Sequence, residues 1–390
     1  TSRTNPEQRK IMSRTLIPRA EQVGSLKRSQ ALIAANQAVY APGHVAIEAA
    51  ERSRGLDALY AIAEEEIRRV VKRQVDLGLD VVTDGEFRRY MFLNSLFDGI
   101  TGFSSEVAKA RFKAADGTVI EWNMQYVTDR LQQIDSPAAR EASFLSGLTD
   151  HAYKLTFPAG SFLALPGNYK AEINGHAYGS HRELVEHVVA IEKRMIADAI
   201  AAGCRYVQLD FPVYPFLCDP DWCARFERNG FSWKETLELA LWADREVIAD
   251  VPKHVRTGMH VCRGNNQSRH VAEGALDKVA ESMFALPYDS FLIEWEDKQR
   301  MGDYSALRYV PPGDSVVVLG LVSSKAAKLE TEDQLLRELD EASRLLDPAR
   351  LALSPQCGFA STLTGNLVSE EDQWQKLELV VKTARRYWGY

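Results

Sequence analysis

Short runs of almost continuous apolar residues alternate along this chain with longer stretches in which apolar positions recur every three or four residues. The first pattern predicts strands covered on both faces, the second amphipathic helices packed on one side. Eight strands are predicted: Glu21 to Ser25, Leu79 to Glu86, Lys154 to Ala159, Tyr206 to Pro212, Val255 to Cys262, Phe291 to Glu296, Ser315 to Val322 and Leu351 to Cys357. The clearest helices span Leu59 to Leu77, Glu183 to Ala202, Trp233 to Asp250, Val271 to Leu286, Thr331 to Leu346 and Glu371 to Tyr387. Such alternation builds parallel βαβ units. Eight strands with seven or eight crossovers, and no glycine fingerprint for a dinucleotide, predict an α/β fold closed as a (β/α)8 TIM barrel. Residues 1–19 read as an N-terminal extension, and Ser29 to Arg54 as further extension or lid material. The segment Ile100 to Thr149 is too long for a simple crossover and predicts a helical insertion over the barrel mouth, after the second strand. No repeat or composition shift divides the chain, so residues 1–390 are read as one domain.

Composition narrows the function. A hydrophobic share of 45% and a charged share of 26% allow a buried core. A net charge of -7 at pH 7 gives no basic stripe for nucleic acid. No apolar run approaches the roughly 18 residues that cross a bilayer, and Thr1 to Lys10 lacks the apolar centre of a signal peptide, so a cytoplasmic protein acting on small molecules is expected. Five thinly scattered cysteines do not form a disulfide framework and are expected to be metal ligands or buried thiols.

In barrels of this kind the reacting groups sit at the carboxyl ends of the strands. Here those ends read Val23-Gly24-Ser25, Thr83-Asp84-Gly85-Glu86, Gln208-Leu209-Asp210, His260-Val261-Cys262, Glu294 and Gln356-Cys357-Gly358. His260 and Cys262 alternate along one strand, so both side chains leave on the same face and can reach one ion. Cys357 and Glu294 end nearby strands and complete a tetrahedral set. Glu296 has the same parity as Glu294 and competes for that place. A nitrogen, two thiolates and a carboxylate suit Zn2+. Around a divalent ion they leave a net charge of about -1, which keeps a bound sulfur electron-rich and favours thiol alkylation over hydrolysis. Cys218 and Cys223 are separated by four residues but lack further ligands, and with Cys204 they are read as buried thiols.

These residues resemble the carboxyl-terminal catalytic barrel of the cobalamin-independent methionine synthase family and its single-barrel relatives. The likeness runs through Val23-Gly24-Ser25, the stretch Asp80 to Arg89, Gln208-Leu209-Asp210, His260-Val261-Cys262 and Ser354 to Gly358, and so spans nearly the whole chain. It implies zinc held by His260, Cys262, Glu294 and Cys357, and methyl transfer to the thiol of homocysteine to give methionine. It also implies an amino-acid pocket in which Glu86 and Asp210 take the ammonium, and Ser25 with nearby amides takes the carboxylate. The partners are then a small-molecule thiol and an alkyl donor.

The departures bear on the donor. Family synthases carry Asp-Glu-Pro where this chain has Asp210-Phe211-Pro212. They also place after the seventh strand a histidine able to protonate a folate leaving group, whereas Leu319 to Lys325 contains none. Slow transfer from methyltetrahydrofolate is therefore expected, and faster transfer from a donor whose leaving group needs no proton, such as a sulfonium or methylcobalamin. Lys325 would substitute as an acid only if burial lowered its pKa. A related alternative is thiol alkylation of the epoxyalkane:coenzyme M transferase type, with Arg88, Arg89 and Arg263 serving a sulfonate. A second alternative is a zinc- or thiol-binding barrel without catalysis.

Overall fold

The computed structural model describes residues 17–40, 56–113 and 117–390. Its centre is a six-stranded parallel sheet of β3 (Leu155–Pro158), β4 (Tyr206–Asp210), β5 (Arg256–Val261), β6 (Ser290–Glu294), β7 (Val316–Val322) and β8 (Leu351–Pro355), hydrogen-bonded in that order. All six coincide with predicted strands. Every residue in them is buried, which is why their sequences read as continuous apolar runs and not as alternation.

The first two predicted strands are not strands of this sheet. Glu21 to Ser25 and Leu79 to Glu86 meet it through single parallel bridges, Ala20 to Leu353 on β8 and Val82 to Tyr153 just before β3. Asp80 N donates to Ala20 O at 3.0 Å, linking the two segments to each other. The glycines and polar side chains of these segments explain their irregularity: Thr83 Oγ1 donates to Gly24 O, and Asp80 Oδ2 accepts from the amides of Arg19 and Ala20. The sheet among the described residues is thus open, with bridged segments at both edges, and does not show the closed eight-stranded barrel expected from the sequence.

The predicted helical insertion over Ile100 to Thr149 is corrected over its first two-thirds and holds a helix only at its end. Residues Ile100–Lys113 (β1) and Val119–Gln133 (β2) form a long antiparallel hairpin, followed by a helix over Pro137–Leu148. Val119, Ile120, Trp122, Tyr126 and Val127 favour extended backbone, and Asp116-Gly117 is a hairpin-turn sequence. The lid reading of Ser29 to Arg54 meets a helix over Gln30–Val39, while residues 41–54 and residues 1–16 lie outside the described residues.

The crossover helices follow their periodicity closely. Leu56–Leu77 buries Leu59, Ala63, Ile67, Val70, Val71 and Gln74, all on one stripe. Glu370–Trp388 begins with a capping box in which Ser369 and Asp372 satisfy each other's amides. The helix predicted from Val271 starts only at Asp277, because Gly274 sits at φ 100°, a left-handed turn no helix contains. These helices cover one face of the sheet. On the other face, register sets Asp210 beside His260 and His260 beside Leu292, so parity carries Cys262 and Glu294 to the same side.

Candidate metal centre

Four side chains from three strand ends converge on that face. One donor atom from each of His260, Cys262, Glu294 and Cys357 lies within 4.8 Å of all the others, and all four residues are buried. The two thiols are 3.6 Å apart. Glu296, the competitor for the carboxylate position, is turned away and paired with Arg300 at 2.8 Å.

The donor chemistry fits a cation. His260 lies 3.3 Å through Nδ1 from the carbonyl oxygen of Leu292, and its Nε2 is buried with no hydrogen-bond partner. A ring tied at Nδ1 presents Nε2 as a ligand. Burial alone would lower the His260 pKa, yet Cys357, Asp210 and Glu294 push it up to about 9. Burial, reinforced by the contact with Cys357, pushes the Cys262 thiol well up. Cys357 is held well below the usual thiol range by its contact with Cys262 and then by His260. Such opposed shifts mark a cluster whose negative charge calls for a balancing cation or proton among the donors.

Behind the donors lies a second layer absent from the sequence reading. Glu294 Oε1 accepts from the Arg263 amide at 3.0 Å, and Oε2 from Gln356 Nε2 at 3.3 Å and Lys325 Nζ at 3.4 Å. Burial raises the Glu294 pKa, but Lys325 and His260 outweigh it and hold the carboxyl below its usual range. Burial would lower Lys325, yet Glu294 and Glu296 raise it instead, so the one condition for an acidic Lys325 is not met.

The donors open onto a cleft of about 410 Å³, counting the space at its mouth that is open to solvent. Ser25, Glu86 and Asp210, the three predicted substrate residues, line it, together with Phe92, Phe211, Asn265 and Ser361. Thr156 Oγ1 donates to Glu86 Oε1 at 2.7 Å, while Glu86 Oε2 is buried without a partner. The salt bridge that would have made Glu86 structural is long, 3.7 Å to Arg89, whose guanidinium is committed to Glu141 at 2.6 Å. Asp210 accepts from Gln208 Nε2 at 2.7 Å, and burial, opposed by His260 and reinforced by Glu86, pushes its pKa up to about 7. Ser25 Oγ accepts the Ala360 amide, and Ser25 O the Phe359 amide, tying the first segment to the loop after β8. Gly24 is needed there: a Cβ would stand 2.7 Å from Glu86 Oε1.

None of the arginines considered for a sulfonate lines the cleft. Arg88 pairs with Glu64 and packs on Phe144, Arg89 pairs with Glu141, and Arg263 Nη1 donates to Gly274 O. Asn265, Phe92 and Ser361 were missed because they lie in loops, where no periodicity marks a side chain's direction. The sole hint was the polar run Gly264-Asn265-Asn266-Gln267 directly after a candidate ligand. Cys204, Cys218 and Cys223 are buried free thiols outside the cluster, as expected. No helix among the described residues is long and apolar enough to cross a membrane.

No family model matches the chain. It is 35% identical over 400 residues to the uncharacterized protein YxjG of Bacillus subtilis, covering 100% of both chains. A solved structure from Listeria monocytogenes, named as a vitamin-B12-independent methionine synthase, matches with 27% identity and a TM-score of 0.69, over 96% of this chain and 100% of that one. A B12-independent methionine synthase from Shewanella, solved with selenomethionine, shares the fold at 15% identity and a TM-score of 0.68, over 96% and 98% of the two chains.

Proposed function

The chain belongs to the cobalamin-independent methionine synthase family, and from that premise we propose that it is a zinc-dependent enzyme transferring a methyl group to the thiol of homocysteine to give methionine. The observation that carries this reading is the buried His260, Cys262, Glu294 and Cys357 cluster, with its unpartnered Nε2, opening onto a cleft with two carboxylates. We also read the two bridged segments at the sheet edges as the remaining staves of a (β/α)8 barrel.

His260, Cys262, Glu294 and Cys357 would hold the zinc. When bound, the ion stabilises the substrate sulfur as a thiolate at neutral pH while the two protein thiolates keep that sulfur nucleophilic. Glu86 offers its free Oε2, and Asp210 its carboxyl, to the substrate ammonium. Ser25 and the amides around it receive the carboxylate. Two charged ends fixed in this way hold the sulfur in one place, and Phe92 and Phe211 keep water from the reacting face. The thiol proton leaves to solvent. Lys325 and Gln356 orient Glu294 from behind.

The test is purified protein incubated with zinc, homocysteine and a panel of methyl donors, with methionine read by mass spectrometry. About one zinc per chain and methionine from at least one donor are expected. Absence of methionine with every donor from a zinc-loaded sample would overturn the reading.

A further inference from the structure

The cleft offers a ligand acceptors and aromatic rings. Among its lining residues, the buried polar atoms without a partner are Glu86 Oε2, His260 Nε2 and Asn265 Oδ1. The functional reading uses the first for an ammonium and the second for a metal, and leaves Asn265 over. Asn265 is only 6% exposed, and its Nδ2 is tied to Gly358 O at 2.7 Å and Ser361 Oγ at 3.3 Å, which fixes the amide and leaves its oxygen free. Phe92 and Phe211 line the same cleft with ring centroids 5.7 Å apart. Phe211 sits at φ 65° and packs against Phe162 and Phe216. That left-handed backbone is strained for a non-glycine residue, and such strain concentrates where a ligand is gripped.

Resting on the functional reading, we propose that the second substrate is a sulfonium, an alkyl donor with its positive charge on sulfur, seated against Phe92 and Phe211 with its S-methyl groups toward Asn265 Oδ1. Ring faces attract a cation. The methyls beside a sulfonium carry part of its charge and make C–H···O contacts to a carbonyl oxygen, so the ligand satisfies Asn265 without an N–H group. Glu86 and Asp210 add attraction in a cleft of low dielectric. The chemistry balances without a protein acid. The thiol releases its proton to water, the thiolate lone pair forms the new S–C bond, and the donor's C–S bond breaks with its electron pair staying on the donor sulfur. A neutral thioether leaves, and no atom outside the two substrates changes oxidation state.

The test uses the full zinc-loaded chain saturated with methionine, so that nothing turns over, titrated with trimethylsulfonium or with neutral dimethyl sulfide and followed by NMR. The cation is expected to bind about three- to thirtyfold more tightly. Phe211→Leu and Asn265→Leu should each remove most of that preference with zinc content unchanged, and the leucine at 211 keeps the apolar volume should the second variant fail to fold. Labelled trimethylsulfonium should pass its methyl to homocysteine. Equal binding of cation and sulfide, or an undiminished preference in Phe211→Leu, overturns the inference. Methionine formed from another donor with no cation preference sinks this inference and spares the functional reading. A cation preference in a protein that methylates no homocysteine does the reverse.

Discussion

At the scale of single residues the centre is a problem of charge. Two thiols, a carboxylate and an imidazole are packed within 4.8 Å of one another out of water, and the geometry is tolerable only with protons or a cation between them. Cys262→Ser or Cys357→Ser should therefore lower the zinc content of purified protein sharply, because a neutral hydroxyl is a far poorer ligand than a thiolate. Elemental analysis reads this directly, and full occupancy in both variants would mean the ion binds elsewhere. Glu86 and Asp210 make a separable prediction. Glu86→Gln or Asp210→Asn should weaken homocysteine by about 2–5 kcal/mol through loss of a buried charge pair, with zinc unchanged. Calorimetry with homocysteine and with a thiol lacking the amino group checks it, since only the amino acid should feel the change. Much of this centre was legible in the sequence. His260 and Cys262 share a face by parity alone, and each predicted ligand ends an apolar run. The preference for Glu294 over Glu296 has its physical reason in Arg300, which claims Glu296 from four residues on. Asn265 and Phe92, and the pairing of Lys325 with Glu294, were illegible because loop side chains obey no period.

At the scale of elements, the site depends on how closely the first segment lies against its neighbours. Gly24 has its Cβ position 2.7 Å from Glu86 Oε1 and 2.9 Å from Thr156 Cγ2. Gly24→Ala should push the Glu86 carboxylate off Thr156 and cost about 1–3 kcal/mol of overpacking, which the flexible carboxylate absorbs at the expense of ligand geometry. Homocysteine affinity should drop while zinc content holds. Unchanged binding would show that Glu86 moves freely and is not a fixed ammonium partner. The same segment marks where sequence reasoning met its limit. A strand was expected over Glu21 to Ser25, but side chains of the second segment take up backbone groups there in place of ladder partners: Thr83 Oγ1 donates to Gly24 O, and Asp80 Oδ2 accepts from the Arg19 and Ala20 amides just before it. The insertion departs from its helical expectation over Ile100–Gln133 for another reason. Its length was correctly seen as excess, but its alternation of Val119, Glu121 and Asn123 with Ile120, Trp122 and Met124 has the period of a strand, and it folds as a hairpin.

For the molecule as a whole, stability carries a cost lodged on two helices that hold none of the metal donors. Glu192, on the helix His181–Ala201, is fully buried with both carboxyl oxygens unpartnered, and Asp244, on Trp233–Glu246, is buried nearby. Asp244 at least accepts from the Ser161 amide at 2.7 Å and the Tyr214 hydroxyl at 2.6 Å. Burial pushes Asp244 up to about 6, and burial together with Asp244 raises Glu192 well above its usual value. Both folded-state pKa values therefore lie above those of the unfolded chain, near 4. The folded state holds more protons than the unfolded one throughout that window, so the stability these groups contribute is fully present below about pH 4 and is lost as pH rises through the folded values. For Asp244, a rise from 3.8 to about 6 corresponds to roughly 3 kcal/mol. Glu192→Gln removes one ionisation and the repulsion it imposes on the other. The variant should therefore gain stability relative to the parent as pH rises from 5 to 8. Denaturant midpoints of the two proteins, measured side by side across that range, decide the matter. A difference that stays constant with pH would show that Glu192 ionises as readily folded as unfolded, with water reaching a carboxyl that the packing leaves dry.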